Sequence, residues 1–258
     1  MNNFIKEKLE YILNNKKYNC SYSDNYLNSK INSDIVEYYY DNLTKNRFMN
    51  LEERLNYSKN LNFQTEEKNI PFNQGIIDTV SWKDKILLKS PNDLIILNML
   101  IWEIKPKSII EFGSGNGSSS DYLNCILKCF NLNCNIYTFD ILNKNNNDKN
   151  IQKNHIDFND ISSLKEYENL FKKIKHPILI IEDAHTNYFN VIKHISNFCI
   201  KGDYLLIEDS GETEKYWGCS KQDSVKYLTN NNFLIDTKYT DFFGFNRTSF
   251  VNSILIKV

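Results

Sequence analysis

The sequence predicts an α/β fold: a doubly wound, mostly parallel seven-stranded sheet with a helical N-terminal extension. Three observations carry this prediction. Short apolar runs recur through the later two-thirds of the chain, among them Ile178-Leu179-Ile180-Ile181 and Tyr204-Leu205-Leu206-Ile207. Continuous runs of this kind are what strands covered on both faces require. Segments of helical period separate the runs, which is the order of parallel βαβ units. One run, Ile109-Ile110-Glu111-Phe112, enters the glycine turn Gly113-Ser114-Gly115-Asn116-Gly117 just before a helical segment. A chain of 258 residues suits one large α/β domain with an added cap. The expected division is a helical cap or lid over residues 1–80 and a ligand-binding domain over 81–258.

Taken in order, the first 75 residues are polar, with apolar side chains at helical spacing. Phe4, Ile5, Leu9, Ile12 and Leu13 mark one helix, Ile31, Ile35 and Tyr38 to Tyr40 a second, and Leu51, Leu55 and Leu61 a third. A substrate lid, a homo-oligomer contact and a solvated cap all stay open for this region. Residues 72–82 read as an ordered loop leading inward. Lys89-Ser90-Pro91-Asn92-Asp93 is a helix start. Ser90 suits the N-cap, Pro91 the first turn, and Asp93 is placed to bond back to the cap. Leu94, Ile95, Leu97, Leu100 and Ile101 continue that helix as far as Lys105-Pro106-Lys107.

The first core strand is expected over residues 108–112 and the next helix over 121–130. A second strand, 135–139, ends at Asp140. Residues 143–150 form a low-complexity polar stretch expected to be mobile. The stretch His155 to Asp160 could be a short strand that leaves an acid, Asp157, near the bound ligand. The strand over 177–181 ends in Glu182-Asp183-Ala184-His185, and a helix over 188–198 should turn Phe189, Ile192, Ile195 and Phe198 inward. The strand over 204–207 ends in Glu208-Asp209. Strands at 233–235 and 253–258, joined through residues 241–246, would close the sheet with an antiparallel pair.

Composition narrows the function. There are 31 basic and 32 acidic side chains, so nothing points to a general nucleic-acid binder. The six cysteines, at 20, 125, 129, 134, 199 and 219, form no Cys-x-x-Cys and no zinc spacing. They are expected to be small buried side chains in a reducing compartment. The N-terminus lacks a signal-peptide core and no apolar run has membrane-spanning length, so a cytoplasmic protein without a membrane partner is expected.

The glycine turn points to a nucleotide-type cofactor. Glycines accept positive φ and let a ligand approach the backbone, while the following helix offers free N–H groups. Glu111, Gly113, Ser114, Gly115, Gly117 and Ser118 are therefore candidate cofactor residues. In parallel sheets ligands sit beyond the strands' carboxyl ends. Asp140 is placed there to accept two ribose hydroxyls, and Asp157 to lie near the adenine. The spacing differs from Gly-x-Gly-x-x-Gly, which weighs against a nicotinamide enzyme.

The second constellation is acidic. Two neighbouring strands ending in Glu182-Asp183 and Glu208-Asp209 would place four carboxylates at one edge, where they repel unless a cation joins them. Mg²⁺ suits oxygen ligands and keeps positions open for substrate. His185, just beyond the first pair, is the candidate base for a substrate hydroxyl. His176 and His194 lack such company, and His155 stays undecided.

Acid followed by Gly-x-Gly-x-Gly resembles the first motif of class I S-adenosyl-L-methionine (SAM) methyltransferases, a Rossmann-like fold. From Lys89 to Val258 the chain resembles the cephalosporin-hydroxylase-like group of these enzymes, which includes rhamnosyl and macrolide-sugar O-methyltransferases. The residues that carry the resemblance are Lys89 to Leu94, Ile110 to Gly115, Asp140, Glu182 to His185, Gly202-Asp203-Tyr204 and Ile207-Glu208-Asp209, with the tail from Asp241. It implies SAM and Mg²⁺ as cofactors, Glu182, Glu208 and Asp209 as metal ligands, and His185 as base. The group usually has Asp where Glu182 stands, so Glu182 and Asp183 both remain candidate ligands. The implied reaction is methylation of a hydroxyl on a sugar, surface glycan or secondary metabolite. Methylation of an amine or phosphoryl-type oxygen, and a non-catalytic SAM-fold subunit, stay open beside it.

Overall fold

The computed structural model describes Asp41, Lys45 and residues 47–59, 80–142, 148–211 and 221–258. The expected helices in the first 40 residues, Leu61, residues 72–79 and 143–147, Cys20 and Cys219 lie outside them. The strands are β1 (Phe48–Met49), β2 (Ser81–Trp82), β3 (Lys85–Ile86), β4 (Ser108–Phe112), β5 (Asn135–Asp140), β6 (Ile151–His155), β7 (Ile178–Glu182), β8 (Tyr204–Ile207), β9 (Phe233–Asp236) and β10 (Ile254–Lys257). The helices used below are α1 (Leu51–Lys59), α2 (Pro91–Ile104), α3 (Ser118–Cys129), α4 (Ser162–Glu166), α5 (Glu168–Phe171), α6 (Tyr188–Ile195), α7 (Gln222–Thr229) and α8 (Thr237–Thr240).

One sheet runs β1-β9-β10-β8-β7-β4-β5-β6. The pairs from β8 through to β6 are parallel, whereas β10 is antiparallel to both β8 and β9. The doubly wound sheet with an antiparallel closing pair is therefore present. Among the described residues it holds eight strands, one more than the expected seven. The eighth, β1, pairs antiparallel with β9, and two residues are too short to leave an alternating pattern in sequence.

Strand alternation sorts the core into two layers. Ile110, Phe112, Ile178, Ile180, Leu205 and Ile207 face α6 and α7, through Val191, Ile192, Ile195, Val225 and Leu228. Ile109, Ile136, Leu179, Ile181 and Leu206 face α2 and α3, through Ile96, Leu97, Leu100, Ile101, Leu123 and Leu127. Both faces are covered, which is why these strands read as unbroken apolar runs.

Several local expectations change. Helix α3 begins at Ser118, three residues early, because left-handed Gly117 (φ 79°) turns the chain directly into it. Phe189 lies on the outer side of α6, edge-on to Tyr227 with ring centres 5.7 Å apart, while Phe198 packs against the core from a short 3₁₀ turn. Of the expected inward loop, residues 80–82 are described; Val80 and Trp82 pack against the core, and residues 81–86 form a hairpin turning on Lys83 and Asp84 with φ of 49° and 62°. Two successive positive φ values make the tight twist that hairpins favour. On α1 the wholly buried side chain is Arg54, and Leu55 is exposed. Cys134 and Cys199 are buried as expected, but Cys129 is exposed and Cys125 half-buried on α3. Among the described residues no helix is long and apolar enough to cross a membrane.

Candidate active site

The crossovers from β4 run to β5 and β6 on one side, and β7 and β8 lie on the other. The carboxyl ends of β4 and β7 thus flank the point where the winding reverses, the usual place for a ligand crevice. The glycine turn leaves β4 there. Gly113 has φ 85°, and a Cβ on it would stand 2.4 Å from the Asp183 carbonyl oxygen and 2.5 Å from the Ala184 nitrogen. Only glycine lets the exit of β7 cross this closely. Gly115 (φ 51°) faces open space, with nothing within 4 Å of an added Cβ.

The turn is braced from several sides. Gly113 N–H donates to the Phe139 carbonyl (2.8 Å) and Gly117 N–H to that of Ser114 (2.8 Å). Asp140 accepts from Gly115 N–H and Leu142 N–H, both at 2.7 Å. Ser118 Oγ and Asn116 Nδ2 donate to the Ile86 carbonyl, which ties the hairpin to the turn. Asp157 stays in its own turn, accepting from Asn159 N–H at 2.9 Å. Glu111 is wholly buried. Its Oε2 accepts from Ser120 Oγ at 2.6 Å, and its Oε1 has no hydrogen-bond partner. Burial pushes this carboxyl above its ordinary range, against the pull of Lys89. A buried carboxylate oxygen without a partner, beside an open glycine turn, fits a ligand that carries a donor or positive charge.

Beyond β7 and β8 the acids gather. The ladder continues one step past the strands, with Asp183 N–H donating to Phe112 O (2.8 Å) and Glu208 N–H to Glu182 O (3.0 Å). This register brings Asp183, Glu208 and Asp209 together. Lys89 Nζ lies 3.0 Å from Asp183 Oδ2 and 2.6 Å from Glu208 Oε1. His185 Nε2 lies 3.2 Å from Asp183 Oδ1 and 3.3 Å from Asp209 Oδ2. One ligand atom each from Asp183, His185 and Asp209 fits within a 4.8 Å span. With Glu208 adjacent, these carboxylate oxygens are the donors a hard divalent cation takes. Glu182 sits elsewhere: Oε2 accepts from Lys221 Nζ at 2.8 Å and Oε1 from Ala184 N–H at 3.1 Å.

Charge governs the protonation of this cluster. Burial opposes a charge on His185, but Asp183 and Asp209 outweigh it and hold the imidazole up at about 10. Burial also opposes the charge on Asp183, yet Lys89 and His185 hold it below the ordinary carboxylate range. For Glu208, burial and then Asp183 push the carboxyl well above that range, with Lys89 opposing. His185 and Asp209 both occupy left-handed backbone, φ 56° and 50°. Neither is glycine, and such conformations cost energy that functional sites commonly store.

The sequence-predicted residues Asp183, His185, Glu208 and Asp209 thus converge, with Glu111 and Gly113 against them. Asp140 braces the turn, Asp157 lies at the outer β6 end, and Glu182 pairs behind the cluster. Two cations were missed as site residues. Lys89 stood in the helix-start motif, where an acidic edge in need of positive charge was the available signal. Lys221 had no signal in the sequence. The other histidines stand apart: His176 meets Asp203 at 2.8 Å, His194 packs between the Phe171 and Phe198 rings, and the His155 carbonyl accepts from Tyr167 Oη.

Comparison with known proteins gives the family and the fold. Residues 74–251 match the family described as Rhamnosyl O-methyltransferase/CmcI. Solved structures share the fold. An apo structure of CmcI is 23% identical, with a TM-score of 0.59, covering 70% of this chain and 77% of that one. CmcI with Mg and SAM is 24% identical with the same TM-score and coverage. CmcI with SAH is 22% identical at a TM-score of 0.55, covering 70% of this chain and 84% of that one. No curated protein matches the chain by sequence.

Proposed function

The chain belongs to the rhamnosyl O-methyltransferase/CmcI family, and on that premise we propose that it is a SAM-dependent, Mg²⁺-dependent O-methyltransferase. Its proposed acceptor is a hydroxyl of a sugar, surface glycan or secondary metabolite. One observation carries this reading: Gly113 touches the Asp183–Ala184 backbone, so the cofactor turn and the acid cluster share a wall. Glu111, Gly113, Ser114, Gly115, Gly117, Ser118, Asp140 and Asp157 would hold SAM. Asp183, Asp209 and Glu208 would hold Mg²⁺, and Glu182, engaged by Lys221, would support the β7 end from behind.

When bound, the cation makes a coordinated hydroxyl more acidic and SAM supplies the electrophilic methyl group. The chain's own residues position the reactants and manage the proton. His185 Nε2 is held protonated by Asp183 and Asp209. A cation on those carboxylate oxygens would weaken their hold on the imidazole proton. Nε2 would then be placed to accept the hydroxyl proton. Fixed geometry lowers the cost of bringing acceptor and methyl into line. We assign acceptor choice to the N-terminal extension. In support, Arg54 of α1 bonds Asn252 at 2.6 Å, and the neighbouring Ser253 hydroxyl meets Ser210, next to Asp209, at 2.7 Å.

Calorimetric titration tests the reading, first with SAM and then with MgCl₂ in the presence of S-adenosylhomocysteine. Saturable binding of both is expected. Absence of SAM binding would overturn the function, and SAM binding without Mg²⁺ would overturn the metal role.

A further inference from the structure

We infer that Lys89 is a tethered counter-cation of the acid cluster, a positioning residue that holds the ligands together and weakens the binding of a divalent cation there. The inference rests on the metal reading above. Lys89 is buried and spans the ends of two strands, donating to Asp183 Oδ2 at 3.0 Å and to Glu208 Oε2 at 2.7 Å. Its backbone has little freedom to withdraw. The next residue, Ser90, is the N-cap of α2 and accepts from Asp93 N–H at 3.1 Å. Asp93 in turn accepts from Ser90 Oγ and from Ser249 N–H at 3.0 Å. The helix start therefore delivers a compact point charge into the space between the two acids.

Two consequences follow from the charges. Without an ion, Asp183 and Glu208 keep a shared positive partner and need not move apart. With an ion on Asp183 and Asp209, the resident ammonium stands beside a second positive charge and disfavours it. Lys221 makes a useful contrast, since its pair with Glu182 is one-to-one and engages neither Asp183 nor Glu208.

The experiment is a titration of MgCl₂ into the full chain, by calorimetry, for the wild type, Lys89→Met and Lys89→Arg. Thermal unfolding in EDTA and in Mg²⁺ accompanies it. Lys89→Met is expected to melt lower than the wild type in EDTA, to gain more from Mg²⁺, and to bind Mg²⁺ at least tenfold more tightly. Lys89→Arg, which keeps the charge, should restore wild-type affinity to within a few-fold. Should Lys89→Met fold only with Mg²⁺, the chelator concentration that unfolds it reports the same affinity. Equal or weaker Mg²⁺ binding by Lys89→Met overturns the inference while leaving the metal site standing. Binding by Lys89→Met alone supports the inference and shows that the wild-type ammonium excludes the ion. No Mg²⁺ binding by any of the three overturns the metal reading and this inference with it.

Discussion

Two clusters of charge among the described residues are built differently. At the closing edge of the sheet, Glu103, Asp236 and Asp241 meet Arg47, Arg54 and Lys238, three acids against three bases. Every partner there has fixed geometry. Arg54 grips Asp241 with two bonds of 2.7 and 2.6 Å and adds Asn252 and Asn246. Asp236 accepts from Arg47, from Tyr204 Oη and from Lys238 N–H. At the strand ends, Glu111, Asp183, Glu208 and Asp209 face Lys89 and His185, four acids against one fixed cation and one titratable group. One oxygen of Glu111 has no partner, and two residues hold left-handed backbone. A balanced buried network serves the fold, whereas an unbalanced one keeps capacity for a ligand.

The contrast can be broken at either end. The largest expected effect is at the edge. Arg54→Met removes the buried guanidinium countercharge of Asp241, which should cost about 3–5 kcal/mol of stability, read by urea unfolding. A loss below about 1 kcal/mol would mean that the edge is not the balanced network described. At the strand ends, His185→Gln should lower turnover by about 10²–10⁴-fold while SAM affinity stays within a few-fold. Unchanged turnover would remove His185 as the base.

The smallest effect sharpens the comparison through pH. Burial raises the Glu103 carboxyl, but Lys238, Tyr239 and Arg47 outweigh it and hold it at about 2. A carboxyl held below its ordinary value of about 4.5 stabilises the fold fully above that value and loses the contribution as pH falls toward 2. The melting-temperature gap between wild type and Glu103→Gln should therefore be constant from pH 5 to 8 and shrink below about 4. A gap that widened on acidification would contradict the assignment.

How much was legible follows from what each feature depends on. Strands β4, β7 and β8 were legible because burial on both faces demands unbroken apolar runs, and their terminal acids because those runs stop there. The cap at Ser90 is local chemistry and reads directly. Phe189 misled because helical period gives a face but not where the neighbouring helix ends. Leu55 misled because an apolar residue at the right spacing says nothing of a buried Arg54 beside it.

The sequence by itself determined the doubly wound sheet, the glycine turn and the placing of Glu182, Asp183, His185, Glu208 and Asp209 at one edge, since period, burial and strand order are written in consecutive residues. Only the tertiary structure decided which carboxylates meet. It set Glu182 against Lys221, Asp183 against Lys89 and His185, and Gly113 under the exit of β7. The physical reason is register: the direction of a side chain past a strand end depends on the neighbouring strand's alignment and on left-handed turns. Contacts between residues 89 and 208, or 54 and 241, leave no local trace in the chain.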